Sequence, residues 1–201
     1  MEGRVRSAAE VLRRGGVVAY PTETFYGLGA LARDHAAVER LSALKGRPAG
    51  KPLPLVAGSR AQVEEVAELD GPAAALAEAF WPGPLTLVLP ARSGLPPAIS
   101  AGTGTVGVRV SGSEIARALA LAAGGALVST SANPADGPPP ARPEDIDAAL
   151  RARLDAVLDA GPAPGGSPST VVAVDDRGAR LVRAGAVPFR DVLAALRREG
   201  R

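Results

Sequence analysis

The chain of 201 residues has no cysteine, one histidine and few aromatic residues, which make up 3% of the total. Without cysteine, the protein has no disulfides, thiolate metal ligands or cysteine nucleophile. The only histidine, His35, lies where a helix is predicted to begin, which is typical of a surface residue. A Ser-His-Asp triad and a histidine-rich metal site are therefore not expected, and we predict no metal bound by the protein itself.

Long hydrophobic runs and strong net charge are also missing. No apolar run approaches the ~18 residues that a membrane span needs, and the N-terminus is unlike a signal peptide. The formal net charge is only +2, so the sequence pI near 9.5 reflects an arginine excess and gives weak support to general nucleic-acid binding. With 46% apolar residues and a mean hydropathy of +0.11, we expect a soluble, cytoplasmic protein without membrane contact, folded as one domain over residues 1–201.

Lysine and asparagine are scarce. Lys45 and Lys51 are the only lysines among 23 basic residues, and Asn133 is the only asparagine. Their retention predicts that Lys45 and Asn133 have roles that arginine or aspartate could not fill, with chance survival as the alternative. The few thermolabile side chains, with one asparagine, one glutamine and one methionine, fit either adaptation to heat or a biased nucleotide composition, and both stay open.

The stretch Tyr20–Gly29 is the feature around which the rest of the sequence is organised. It follows a short apolar run that is predicted to be a buried strand, which Pro21 should end because proline donates no hydrogen bond to a ladder. The hydroxyls of Thr22 and Thr24 and the carboxylate of Glu23 would then lie at a strand's carboxyl end, where open α/β sheets bind ligands. The alternative is an ordinary strand exit whose threonines cap the backbone locally.

Strands and helices alternate along the remaining sequence. Helix starts are predicted at the capping residues Ser7, Asp34, Ser59 and Ser113, and further helices at 72–81, 143–154 and 189–198. Strands are predicted at 17–20, 53–57, 85–89, 106–110, 126–128, 156–158 and 171–174, with a hairpin return at 181–185. This order predicts one α/β domain with a mixed β-sheet and flanking helices.

Several predicted strand ends carry hydroxyl or cationic side chains. They are Thr22 and Thr24, Arg109, Ser129 to Asn133, and Ser169 with Thr170, while Lys45 and Arg47 share a nearby loop. Together these groups predict a groove for an anion and a small polar molecule, without a protein nucleophile. The sequence contains no Walker loop and no Gly-x-Gly-x-x-Gly after a strand, which excludes the usual P-loop and Rossmann sites.

Six motifs occur in the order found in the YrdC/TsaC family and cover nearly the whole chain, which therefore resembles that family. They are Tyr20–Gly29, 45–48 (Lys-Gly-Arg-Pro), 80–86 (Phe-Trp-Pro-Gly-Pro-Leu-Thr), 107–109 (Gly-Val-Arg), 129–133 (Ser-Thr-Ser-Ala-Asn) and 169–172 (Ser-Thr-Val-Val). The resemblance implies a twisted mixed β-sheet with flanking helices and a positively charged concave groove. It also implies the single-domain form of a family whose larger members add a C-terminal domain.

The resemblance also implies an activity. Members of the family make L-threonylcarbamoyladenylate from L-threonine, bicarbonate or CO2, and ATP, and they release diphosphate. ATP is a substrate and carries Mg2+ on its phosphates. The product is handed to tRNA-modifying threonylcarbamoyltransferase proteins, which form N6-threonylcarbamoyladenosine in tRNA. A chain without cysteine suits this chemistry, because the substrate amine is the nucleophile and the protein has to position and neutralise the reactants.

Site residues follow from the motifs by resemblance. The L-threonine contacts correspond to Thr22, Arg109, Ser129 and Ser169, and the ATP contacts to Lys45, Arg47, Thr105, Ser131, Asn133 and Arg183. Lys45 and Arg47 correspond to the catalytic residues. The sequence departs from the family near Val56 and Ser113, where relatives have histidines, and no site residue is assigned there.

Two other functions fit the same residues. A regulatory RNA-binding module could use the basic groove for weak tRNA or RNA binding, and it would show RNA affinity that falls steeply with salt, without ATP turnover. A carbamoyl-transfer domain related to that of hydrogenase maturation factors is the other alternative, although that domain normally sits inside a much longer chain.

Overall fold

The computed structural model of the protein describes residues 1–46, 50–134, 137–175 and 178–199. The helices are α1 (Glu2–Arg13), α2 (His35–Leu44), α3 (Arg60–Glu64), α4 (Gly71–Phe80), α5 (Pro97–Ser100), α6 (Glu114–Ala123), α7 (Ala148–Arg151) and α8 (Phe189–Glu199), and a 3₁₀ turn covers Pro143–Asp145. The strands are β1 (Val18–Pro21), β2 (Tyr26–Gly29), β3 (Leu55–Ala57), β4 (Leu85–Pro90), β5 (Thr105–Val110), β6 (Leu127–Val128), β7 (Thr130–Ser131), β8 (Ala156–Val157), β9 (Thr170–Asp175) and β10 (Gly178–Arg183). Within these described ranges, every helix is too short or too polar to cross a lipid bilayer.

The strands form two sheets. Four strands pair in the order β7-β2-β1-β8, and six pair in the order β10-β9-β4-β5-β3-β6. Both sheets are mixed, since β1 with β8, β3 with β5 and β4 with β9 are parallel whereas the other pairs are antiparallel. The α/β class, the mixed strand directions and the C-terminal hairpin are confirmed, but the single predicted sheet is wrong. The chain changes sheets at Ser129, between β6 and β7, and no local sequence pattern reveals this change of partner.

Three of the predicted capping residues lie at the start of a helix in the structure. Asp34, Ser59 and Ser113 each accept a hydrogen bond from the backbone N–H three residues further on, at 3.0, 3.3 and 3.3 Å. These bonds satisfy donors that have no partner inside the helix, which stabilises each helix by about 1 kcal/mol. Short polar residues before an apolar repeat therefore place α2, α3 and α6 along the chain.

Two predicted helices have different bounds because packing overrides the local signals. Helix α1 begins at Glu2 rather than at Ser7, since Val5 continues the buried face of the helix by one turn. The helix predicted over 143–154 is instead the 3₁₀ turn followed by α7. Ile146 adopts an extended conformation and enters the core, and Asp147 then caps the new helix by accepting a bond from the Leu150 N–H at 2.9 Å.

A shared core holds the two sheets against each other. Helices α1 and α6 pack on Val18 and Tyr20 of the four-stranded sheet and on Val56 and Leu127 of the six-stranded sheet. Full burial of such side chains contributes about 1.5–3 kcal/mol each. This core fixes the position of one sheet relative to the other, and it thereby positions the side chains that meet between them.

Candidate active site

The stretch Tyr20–Gly29 folds into the hairpin β1–β2, with Thr22 in its turn. The Thr22 hydroxyl donates to the Phe25 carbonyl at 2.8 Å and accepts from the Thr24 N–H at 3.2 Å. Strand β1 ends at Pro21, as predicted, and a proline at the last position of a strand need not donate to the ladder. The local capping role considered for the threonines is confirmed for Thr22, and strand β2 is a feature that the sequence did not predict.

A groove of about 720 Å³ lies between this hairpin and one face of the six-stranded sheet. This volume is typical of small-molecule sites. The sheet contributes every second residue of two strands, because alternate side chains of a strand share a face. These residues are Thr86 and Val88 on β4 and Thr105, Gly107 and Arg109 on β5. The groove lies across the face of the sheet, and the predicted strand-end residues Thr22, Arg109 and Ser169 line it.

Most of the predicted site residues meet in this groove. The lining includes Thr22, Thr105, Arg109, Ser129, Ser131, Ser169 and Arg183. Lys45 and Asn133 are not among its lining residues in the described part of the chain, but Lys45 binds the Ser131 carbonyl from behind the groove wall. The predicted residue Arg47 lies outside the described residues. Thr130, which belongs to the predicted strand end Ser129 to Asn133, also lines the groove, as do Lys51 and Thr86, to which no substrate contact was assigned.

Arg109 is held by a carboxylate from the hairpin turn. Its side chain lies on β5 and is only 6% exposed, and its Nε donates to Glu23 Oε1 at 2.7 Å. The second oxygen of Glu23 accepts a hydrogen bond from the Ser111 hydroxyl. Burial alone would raise the pKa of Glu23, but the charge of Arg109 and the bond from Ser111 outweigh it, so the pKa lies below its ordinary value of 4.5. Glu23 is therefore ionised at neutral pH.

Arg183 enters the groove from the edge strand β10. Its Nη2 donates to the carbonyl of Ser169 at 2.8 Å and to the Ser169 hydroxyl at 3.1 Å. Thr86 donates to the same hydroxyl at 3.0 Å. Because a serine hydroxyl accepts two hydrogen bonds and donates one, these contacts leave the Ser169 proton to be directed into the groove.

The two arginines of the groove repel each other. Burial lowers the pKa of Arg183 below its ordinary value, and the positive charge of Arg109 lowers it further. An anion bound between two such cations relieves this repulsion and accepts charge-assisted hydrogen bonds from both. The arrangement therefore suits a ligand that carries a carboxylate or a phosphate.

Lys45 fixes the segment behind the groove wall. The residue caps the C-terminus of α2, and its side chain is only 8% exposed. Its Nζ donates to the Ser131 carbonyl at 2.8 Å, to the Asn133 carbonyl, and to Asn133 Oδ1 at 3.2 Å. The two rare side-chain types noted in the sequence thus contact each other directly, and they hold the end of β7 where it borders the groove.

Tyr20 supports Ser129 at the point where the chain changes sheets. The Tyr20 hydroxyl donates to the Val128 carbonyl at 3.3 Å, and its ring passes so close to Gly29 that an added Cβ would lie 2.6 Å from Cε1. Burial raises the pKa of Tyr20 to about 12, although a hydrogen bond with the Ser129 side chain lowers it. Gly29 is thus a close-approach glycine, and it does not adopt a positive φ.

The fold is that of a known class of solved structures. The crystal structure of P. abyssi Sua5 complexed with L-threonine matches the chain with a TM-score of 0.91 and 37% identity, over 97% of this chain and 58% of that one. Full-length HypF in its phosphate- and nucleotide-bound form matches over 90% of this chain with a TM-score of 0.78, but its 20% identity shows a shared fold alone.

Sequence comparison places the chain within this class. The model of the Sua5/YciO/YrdC family, described as telomere recombination, matches residues 10–185, and the chain belongs to this family. The threonylcarbamoyl-AMP synthase of Halorhodospira halophila is 47% identical over 156 residues, which cover 77% of this chain and 82% of the relative. That of Pyrococcus abyssi is 38% identical over 192 residues, which cover 95% of this chain but only 56% of the relative. The chain thus spans little more than half of its longer relatives.

Proposed function

We propose that this protein is a threonylcarbamoyl-AMP synthase. It would join L-threonine, bicarbonate or CO2, and ATP into threonylcarbamoyl-AMP and release diphosphate, which makes it a nucleotidyltransferase. The observation that carries the proposal is the groove in which Arg109 and Arg183 repel each other beside a row of hydroxyls. The names of the relatives and the threonine complex of Sua5 support the same activity.

The groove offers each substrate a set of contacts. We assign the L-threonine contacts to Thr22, Arg109, Ser129 and Ser169, and the ATP contacts to Lys45, Arg47, Thr105, Ser131, Asn133 and Arg183. Lys45 has three donors and already meets three oxygens of Ser131 and Asn133. To reach a phosphate, its ammonium would have to exchange one of these oxygens for a phosphate oxygen.

The chemistry requires positioning and neutralisation more than a reactive side chain. The threonine amine attacks bicarbonate or CO2 to give a carbamate, and a carbamate oxygen then displaces diphosphate at the α-phosphorus of ATP. Orientation of the reactants can contribute about 7–11 kcal/mol, and aligned cations stabilise the charge that develops on the phosphate. In this proposal Arg109 orients the amino acid, and Arg183 faces the phosphates.

Mg2+ would enter with ATP as part of the nucleotide substrate. The lining of the groove in the described residues includes no carboxylate, and no cluster of three or more metal-binding side chains was found among them. The phosphate oxygens of ATP would therefore hold the ion, with hydroxyls such as that of Thr105 completing its surroundings.

The fate of the product follows from the family. We propose that it passes to tRNA-modifying threonylcarbamoyltransferase proteins in the cytoplasm, and that weak tRNA binding at the groove aids the transfer. The RNA-binding module considered from the sequence is not favoured, because the threonine complex of Sua5 has the same fold.

The test is incubation of the purified protein with ATP, labelled bicarbonate and L-threonine. We expect diphosphate and a labelled adenylate, and neither should form when L-threonine or bicarbonate is omitted. Serine should react more slowly, because a missing methyl group costs about 1–3 kcal/mol in a fitted pocket. Equal turnover with glycine would contradict the threonine pocket. RNA affinity that falls steeply with salt, in the absence of any turnover, would contradict the enzyme proposal and favour the RNA-binding module.

A further inference from the structure

Glu23 fixes the orientation of Arg109. Its side chain is only 13% exposed, and its carboxylate contacts the Arg109 Nε from a position 86 residues away in the sequence. A guanidinium is planar and its N–H groups lie in the plane, so a hydrogen-bond partner at the Nε edge fixes the direction in which the two terminal nitrogens point. Those nitrogens form the fork that pairs with a carboxylate through two parallel hydrogen bonds.

The carboxylate of Glu23 is itself anchored to a helix. Its second oxygen accepts from the Ser111 hydroxyl, and that hydroxyl in turn accepts from the Ser113 N–H at 3.1 Å. Ser113 caps α6, and Arg117 in the same helix donates to the Ser111 carbonyl at 2.7 Å. The carboxylate is thus held from two sides, by the arginine and by the start of α6, so its position does not depend on Arg109 alone.

The charge of Glu23 also offsets the repulsion between the two arginines of the groove. Arg109 and Arg183 repel each other, and an opposing charge offsets the cost of holding Arg109 beside the groove. The negative charge of Glu23 lies on the Nε side of Arg109 and provides that opposing charge. Arg109 then loses its side-chain conformational entropy on folding rather than on substrate binding, and a site ordered in advance binds its ligand more tightly.

We propose that Glu23 is a positioning residue, which holds Arg109 by its Nε so that the terminal nitrogens of the arginine meet the carboxylate of the amino-acid substrate. This inference rests on the proposed function, because that function assigns the substrate carboxylate to Arg109. Glu23 does not touch the substrate itself, and it is not among the residues that line the groove in the described chain.

The test compares Glu23→Gln with a matched control. Glutamine keeps the size of the side chain but removes its charge. Glu64 pairs with the Nε of Arg60 at 2.9 Å on the exposed surface of α3, so Glu64→Gln removes the same kind of contact away from the groove. For Glu23→Gln we expect the Kd and KM for L-threonine to rise about tenfold, which equals about 1.4 kcal/mol. The Kd for ATP should change less than about twofold, and Glu64→Gln should match the wild type.

Two further variants show whether Glu23 acts through Arg109. Ser111→Ala loosens the carboxylate without removing it, and it should weaken L-threonine binding in the same selective way but less, by about threefold. In an Arg109→Lys background, Glu23→Gln should add less than about twofold, because effects that act through one group do not multiply. A further tenfold loss in that background would overturn the proposal.

The outcomes separate this inference from the proposed function. A wild type that binds L-threonine and makes the adenylate, together with unchanged threonine binding in Glu23→Gln and Ser111→Ala, overturns the positioning role alone. An equal loss of threonine and ATP binding, with a lower melting temperature, overturns it in favour of a purely structural contact. A wild type that neither binds L-threonine in calorimetry nor forms the adenylate overturns the proposed function and this inference together.

Discussion

The two arginines of the groove are held in different ways. Arg109 lies on the central strand β5, is almost fully buried and is paired with a carboxylate that a helix anchors. Arg183 lies on the edge strand β10, is much more exposed than Arg109 although partly desolvated, and contacts the oxygens of Ser169. Within the described ranges, no ion pair to Arg183 was found. One cation is thus built into the scaffold, whereas the other keeps freedom to adjust.

This difference suits two ligands of different shape. A fixed arginine fork matches the planar carboxylate of a small amino acid, for which geometry decides affinity. An adjustable cation matches a phosphate chain, whose position changes as bonds form and break. Solvent and salt also screen an exposed charge far more than a buried pair. The contrast predicts that substitution of Arg109 has a large effect on catalysis with L-threonine and little effect on ATP binding. Substitution of Arg183 should have a small effect on ATP binding that depends on salt.

The largest effect is expected from Arg109→Lys. Lysine keeps the charge but offers a point charge in place of the fork, and it cannot reproduce the Nε contact with Glu23. We expect kcat/KM for L-threonine to fall about 100-fold, or about 2.7 kcal/mol, with a much smaller change in ATP binding. Titrations with each substrate measure both quantities. A larger loss for ATP than for L-threonine would move Arg109 to the nucleotide side of the groove.

A tenfold effect is expected from Lys45→Arg. As a helix C-cap, a cation stabilises the dipole by about 0.3–1 kcal/mol, and arginine would serve equally well. The contacts of Nζ with Ser131 and Asn133 require a compact ammonium instead, so a longer planar group should displace the segment that borders the groove. Adenylate formation should fall about tenfold or more, and the melting temperature should fall with it.

The Lys45 variant separates three roles. A dipole role predicts unchanged melting temperature and unchanged turnover, and full activity would remove Lys45 from the site. A direct phosphate contact without an anchoring role predicts lower turnover in a protein of unchanged melting temperature. A fall in both quantities, which the contacts in the structure favour, assigns the anchoring role.

A smaller effect is expected from Arg183→Gln. The change removes an exposed charge and the contacts with Ser169, so we expect the KM for ATP to rise about three- to fivefold at low salt. The ratio of the variant's KM for ATP to that of the wild type should fall towards one in high salt, because screening weakens the wild-type interaction. The defect of Arg109→Lys should change little over the same range of salt. Equal salt dependence of the two variants would contradict the contrast between the arginines.

Local signals in the sequence predicted the parts of the fold that depend on neighbouring residues. The caps at Asp34, Ser59 and Ser113 place three helices, because a capping bond spans only three residues. The groove residues were found by motif, since each motif carries its own hydroxyl or cation. Where the chain must choose a distant partner, as at Ser129 between the two sheets, the sequence carries no comparable signal.

The role of Glu23 shows the same limit within the site. The motif that contains Glu23 was recognised, but its partner Arg109 lies 86 residues further along the chain. Lys45 and Asn133 were singled out as rare residues, yet their contact spans 88 residues. A signal for Glu23 does exist, because a buried arginine on a central strand needs an opposing charge, and only a limited set of carboxylates lies near strand ends.

The smallest effect is expected in the pH dependence of stability, and it tests whether the charge of Glu23 supports Arg109. The folded protein holds the pKa of Glu23 below its ordinary value of 4.5, so the unfolded chain takes up a proton first as the pH falls. The contribution to stability is therefore fully present above the ordinary value, and it is lost as the pH falls through the lowered value in the folded state.

The measurement is the difference in free energy of unfolding between the wild type and Glu23→Gln, followed by urea titration from about pH 7 to about pH 3. All other ionisable groups are common to both proteins, so their contributions largely cancel in the difference. At pH 7 the wild type should be the more stable, and the gap should narrow once the pH falls below the ordinary value of the carboxyl. The control Glu64→Gln should cost only about 0.2–0.5 kcal/mol at pH 7, because that pair is exposed. A gap for Glu23→Gln that stays constant down to the lowest pH would mean that size and hydrogen bonding, rather than charge, hold Arg109 in place, and the buried arginine would then differ from Arg183 in burial alone.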